Sequence, residues 1–196
     1  MKKAELFLVI LSVITIVLRL FHFNNSGVLT VIFFSLLSLF YFYFSFAFFN
    51  DLGFRQMLKK VSFEGIPLSR IVGAVGTGLA LSVAIIGILF KLQSYPGADA
   101  QLIIGAVTLG VVALVAAFKY RKSSESYYSI ILKRVIVIGG FTIFLIVIPA
   151  KNWLGFQYPN NPEYVEALLK AQADPKNESL WDEVDVEREK MYGTEE

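Results

Sequence analysis

The chain has 196 residues, of which 56% are hydrophobic and only 17% charged, against about 25% charged in an ordinary soluble domain. Eighteen phenylalanines are hard to bury in one soluble core of this size. With no cysteine and a single histidine, His22, disulfides, thiolate metal sites and cysteine nucleophiles are excluded, and little is left for a histidine metal site. The net charge of +2 hides a strong asymmetry along the chain.

A helix needs about 20 apolar residues to cross a bilayer. Five segments approach that length, at residues 6–23, 28–49, 71–90, 102–118 and 134–150. Each is read as a helix because backbone groups in lipid must be satisfied within the segment. Lys2 and Lys3 before the first segment also fit a signal peptide, but bulky and then polar residues follow it instead of a small-x-small cleavage site. The second segment is crowded with phenylalanine and tyrosine all round, the pattern of a lipid-facing helix. Its Ser35, Ser38 and Ser45 share one face at helical spacing and suit a helix neighbour. The fifth is short, and residues 130–132 extend it while Lys133 and Arg134 snorkel.

Along one side of the third segment run Gly73, Gly76, Thr77, Ala80, Ala84 and Gly87. The fourth carries Ala106, Gly110, Ala113 and Ala117. Small residues at steps of three and four let helix backbones approach closely, either within the chain or between copies. The connection between these two segments is short, so they are antiparallel neighbours. Lys91 closes the third, Pro96-Gly97 makes the turn, and Asp99 is placed to cap the fourth. Ionisable residues in membrane segments are functional candidates, here Arg19, Lys91 and Asp99. Near a helix end Lys91 also serves as an anchor that snorkels, caps carbonyls or pairs with Asp99.

Lysine and arginine set the orientation. Lys2 and Lys3 precede the first segment, Arg55, Lys59, Lys60 and Arg70 follow the second, and Lys119, Arg121, Lys122, Lys133 and Arg134 follow the fourth. The remaining connections hold only Arg19 and Lys91. The N-terminus and the two basic loops are therefore expected in the cytoplasm, and the tail outside. A four-span arrangement, with the first or last segment in the interface, is the structural alternative.

Residues 151–196 have eleven acidic side chains against five basic ones. Trp153, Phe156 and Tyr158 follow the last segment as an interfacial aromatic belt would. One short helix starts at Asn161-Pro162-Glu163, with a cap residue, proline at the first position and an acid in the first turn. A second is expected from about Asp174-Pro175, with Leu180, Trp181, Val184 and Met191 as its apolar stripe. Asp182, Glu183 and Asp185 lack the loop of a calcium site and read as a solvated face.

Three runs in the central hairpin carry a resemblance. They are Gly87-Ile88-Leu89-Phe90-Lys91-Leu92, Tyr95-Pro96-Gly97-Ala98 and Leu102-Ile103-Ile104-Gly105. Together residues 78–118 resemble the transmembrane hairpin of GldL, the inner-membrane motor subunit of gliding motility and type IX secretion. The resemblance implies that Lys91 matches an intramembrane lysine of that family. It also implies a glutamate after a threonine in the second helix. Here Thr108 is followed by Leu109, and no acid occurs between Ala100 and Ala117. The hairpin therefore implies kinship without a proton motor.

No paired acids in a span, His-Glu-x-x-His, P-loop or nucleophile elbow is present. The resulting expectation is an all-α, multi-pass membrane protein of five transmembrane helices (residues 1–150) with an acidic extracytoplasmic helical tail (151–196). It is a non-enzymatic accessory or scaffold subunit of a bacterial envelope complex in the inner membrane. It has no catalytic, cofactor or metal site, contacts the bilayer and a protein partner or a second copy, and binds no nucleic acid. A small transporter with Arg19 and Lys91 in an outer vestibule, and a membrane enzyme acting on a lipid or quinone, are the alternatives.

Overall fold

The computed structural model describes residues 1–21, 23, 25–57 and 59–193; His22 lies outside them. Among these residues the chain is all-helical. The elements are α1 (Lys2–Leu20), α2 (Ser26–Phe49), α3 (Phe54–Met57), a single 3-10 turn (Lys60–Phe63), α4 (Leu68–Gln93), α5 (Ala98–Ser123), α6 (Ser126–Val147), α7 (Ala150–Gln157), α8 (Pro162–Ala173) and α9 (Glu178–Gly193). Four helices, α2, α4, α5 and α6, are long and apolar enough to cross a membrane. The chain is thus a membrane protein with transmembrane helices. The 19 residues of α1 have an apolar middle but carry Lys2, Lys3, Glu5 and Arg19.

α4 is the centre of the bundle. It packs on α2, α5 and α6, and α1 packs along α2. Its apolar stretch is 56% buried, against 22% for α5 and 28% for α6. Small residues explain this position. Gly78 sits against the Ser45 side chain and the Tyr41 carbonyl of α2, and a Cβ there has no room. On the other side of α4, a Cβ on Gly105 of α5 would lie 2.7 Å from Ala84 Cα. Polar side chains facing this seam pair across it, as buried hydroxyls must. Ser38 and Ser82 hydroxyls are 2.7 Å apart. Gly76 and Gly110, by contrast, have nothing within 4 Å of a built Cβ and face outward. Close approach within the chain thus runs through Gly78, Ala84, Gly87 and Gly105, and not along the Gly76 and Gly110 edges of the sequence stripes.

The α4–α5 turn closes with a Schellman arrangement. Tyr95 N donates to Phe90 O at 2.9 Å and Ser94 N to Lys91 O at 3.1 Å. Ser94 is left-handed at φ 58°, and the Phe90 and Tyr95 rings meet edge to face at 5.4 Å. Gly97, at φ +77°, then lets the chain enter α5. Asp99 makes no cap; α5 has no side-chain cap hydrogen bond, because the carboxylate turns to Lys91.

α6 begins at Ser126, two turns before the sequence expectation of residue 134. Its start is tied to the start of α4. Arg70 pairs with Glu125 and lies over the Tyr127 ring at 4.9 Å, and the Tyr127 hydroxyl donates to Arg70 O at 3.0 Å. In the tail, the belt residues Trp153 and Phe156 belong to a helix, α7, which the sequence reading lacked. α8 starts as expected from the Asn161-Pro162 signal. α9 starts at Glu178, later than expected, because Asp174 closes α8 and Asn177 O receives the Leu180 amide. α7, α8 and α9 share a small core of their own around Leu154, Leu168, Ala171 and Val184.

Candidate functional sites: two polar layers in an apolar bundle

An ionised side chain among transmembrane helices is costly unless paired, so the places where this chain spends charge mark its candidate sites. Among the described residues two such places stand out by burial, one toward each end of the bundle.

The first lies toward the end that carries the basic loops. Glu5 of α1 is buried, and its carboxylate receives three donors. Arg134 Nε and Nη2 of α6 each approach at 2.7 Å, one to each oxygen, and the Tyr41 hydroxyl of α2 donates at 2.5 Å. Two parallel N–H···O bonds are the strong geometry for a guanidinium. Arg134 Nη1 reaches Ile130 O at 3.3 Å, and the guanidinium lies over the Phe48 ring at 4.7 Å. Arg134 therefore turns into the bundle and does not snorkel. Its neighbour Lys133 points outward and is exposed. The layer lies eight residues inside the ends of both α2 and α6. That is about 12 Å at 1.5 Å per residue. Sequence reasoning missed Glu5 and Tyr41. Glu5 stands at the edge of an apolar run, and nothing local shows that a residue 129 positions later neutralises it.

The second layer lies at the end where the tail packs. Lys91 has a side chain only 5% exposed and places Nζ 2.6 Å from Asp99 Oδ1, across the hairpin turn. The Asp99 side chain is 63% exposed, so the pair sits at the bundle's rim with its acid toward the outside. Arg19, the third candidate charge, is joined to two amides. It donates to Gln93 Oε1 at 3.2 Å and to Gln157 Oε1 at 3.0 Å. Gln93 in turn donates to Gly27 O at 2.6 Å, and Gln157 to Leu92 O at 3.0 Å. Gln172 of α8 reaches Ser94 O at 2.6 Å. The Leu92 and Ser94 carbonyls at the end of α4 are thus satisfied by the tail, and α1, α2, α4, α7 and α8 meet in one web. A cavity of about 230 Å³ beside it is lined by Lys91, Asp99, Trp153 and Gln172. The structure brings Lys91 and Asp99 together and keeps Arg19 in the neighbouring amide web.

No group of three or more histidine, cysteine, aspartate or glutamate side chains able to hold a metal occurs among the described residues. Lys91 and Asp99 form a closed pair, and the α5 face behind them is apolar from Leu102 to Ala117 apart from Thr108, whose hydroxyl returns to Ile104 O and Gly105 O.

Residues 76–133 match the family model of the GldL N-terminal domain. The GldL-like segment covers most of α4, the turn with Lys91 and Asp99, all of α5 and the first turns of α6. It is less than a third of the chain. Comparison with curated proteins and with solved structures finds no match. The resemblance of the central hairpin to GldL is thereby shown, and the flanking parts are unrecognised. Glu5, Tyr41, Arg19, Gln157 and Gln172 all lie outside the matched residues, and Arg134 follows directly after them. The second layer therefore joins the GldL-like hairpin to parts of the chain that lie outside the match, and the first ties α1 and α2 to α6 just beyond it.

Proposed function

We propose that the chain is a non-enzymatic integral subunit of a bacterial envelope complex, seated in the inner membrane as an accessory or scaffold. The observation that carries this reading is the closure of the GldL-like hairpin. Its lysine is spent on Asp99, its second helix has no acid between Ala100 and Ala117, and its turn is clamped by Gln157 and Gln172 from the tail. A proton-driven motor needs a protonatable group free to change state within the membrane. A hairpin without one, fixed by added helices, suits assembly better than force generation.

On this reading α1 is a fifth span. It runs antiparallel along α2, and Arg134 removes the cost of Glu5. The positive-inside rule then puts the N-terminus in the cytoplasm and α7, α8 and α9 outside. The absence of native cysteine makes this simple to check. A Ser179→Cys variant in intact inner-membrane spheroplasts is expected to react with a membrane-impermeant maleimide, whereas Ser123→Cys reacts only after lysis. Labelling of Ser123→Cys alone before lysis would invert the arrangement.

The partner is expected to engage the acidic tail and the outward face of α5. Gentle affinity purification with mass spectrometry should recover a defined envelope partner with the full chain. Deleting residues 160–196 should abolish that recovery while the remaining helices stay in the membrane. An unchanged partner list after the deletion would remove the tail from the interface. No recovered partner at all would sink the subunit reading.

A further inference from the structure

α1 and α6 do not close on each other above the Glu5–Arg134 pair. Between them runs a groove of about 590 Å³, floored by Phe34 and Leu37 of α2 and by Ile85 and Ile88 of α4. Its walls are apolar, with Val13 among the residues on α1 and Val137 and Phe141 on α6. From Glu5 to Val17 it follows twelve residues of α1. That is about 18 Å at 1.5 Å per residue, close to the depth of one leaflet, which is half of a hydrocarbon core of about 30 Å.

Along the groove's length Ser12 is the polar side chain, and the charged side chains lie at its mouth. There Arg134 and Glu5 neutralise each other. Lys133, which also lines the mouth, has no acid opposite it among the described residues: Glu5 is committed to Arg134 and Tyr41, and no other described aspartate or glutamate lines the groove. An exposed ammonium beside an apolar slot leaves one positive charge at its mouth, on a stem long enough to reach toward a headgroup.

We propose that this groove is a binding site for an anionic diacyl phospholipid, one acyl chain lying along α1 and α6 and the headgroup phosphate held by Lys133. Charge decides between the possible occupants. A second apolar helix seated here would cover Lys133 with nothing to pair it, whereas an anionic headgroup supplies the missing charge. The site is independent of the partner proposed above, since it needs no other protein.

The test uses the full chain purified in detergent and native mass spectrometry with phosphatidylglycerol and phosphatidylcholine of identical acyl chains. Wild-type protein is expected to retain phosphatidylglycerol over phosphatidylcholine by roughly fivefold, the effect of one basic side chain beside an anionic lipid. Lys133→Gln should abolish the preference and still retain either lipid. Val13→Trp, which fills the slot from α1, should reduce retention of both. Val137→Trp does the same from the opposite wall, and the melting temperature of each variant shows which of them is folded. Equal retention of the two lipids by wild type, or undiminished retention in a folded tryptophan variant, would overturn the proposal. So would a dimer that disappears on Val13→Trp, which makes the groove an interface between copies.

Discussion

Arg134→Met is expected to destabilise the bundle by about 3–5 kcal/mol, the cost of stranding one member of a buried ion pair. The substitution keeps most of the side-chain volume, so the loss is electrostatic. Glu5 keeps the Tyr41 hydroxyl and loses both guanidinium bonds. Glu5→Gln in the wild-type background strands the guanidinium instead and should cost a comparable amount. The double variant, Glu5→Gln with Arg134→Met, has no charge left to strand. It is expected to recover to within about 1–2 kcal/mol of wild type, since neutral replacement of a buried pair is often tolerated. Unfolding in mixed detergent micelles, followed by helical circular dichroism, gives the three values and their coupling. A loss under about 1 kcal/mol in Arg134→Met would mean that water reaches the pair. The consequence extends to assembly, because Glu5 is the main polar tie between α1 and the GldL-like hairpin's own next helix.

What the sequence made legible follows from the range of each interaction. Apolar length is a local property, so α2, α4, α5 and α6 could be read directly, as could the α8 start from Asn161 and Pro162. Lys91 and Asp99 are eight residues apart across a turn, close enough for their pairing to be one of a few foreseeable options. The partners of Glu5 and Arg19 lie 129 and 138 residues away, and no local rule connects them. The same distance hid the true start of α6. Arg134 looked like an interfacial boundary because its neutralising acid was out of sight. α7 was missed for another reason: Trp153, Phe156 and Tyr158 fit an interfacial belt whether or not the backbone is helical. Small residues gave a mixed result. Steps of three and four identify a face that permits close packing, but Gly78 and Gly105 were left off the faces chosen, and their neighbours Gly76 and Gly110 point away from the bundle.

That contrast supplies the second large effect. Gly105→Leu is expected to prevent α4 and α5 from docking, because the first added carbon already meets Ala84 Cα, a backbone atom that cannot rotate aside. Overpacking with side-chain neighbours costs about 1–3 kcal/mol, and a backbone neighbour removes the usual relief, so a loss above about 3 kcal/mol is expected. Gly78→Leu should behave alike, since it meets the Tyr41 carbonyl at 2.5 Å. Gly110→Leu on the same α5 helix meets nothing within 4 Å. Here the better helix propensity of leucine dominates, by up to about 1 kcal/mol, and the isolated chain should be unchanged or slightly more stable. The pair of variants also separates two roles for small residues. If the outward α5 face holds a partner, Gly110→Leu will lower partner recovery while leaving the melting temperature intact, whereas Gly105→Leu will lower both. Equal stability of the two variants in detergent would mean that α5 is not held against α4 through Gly105.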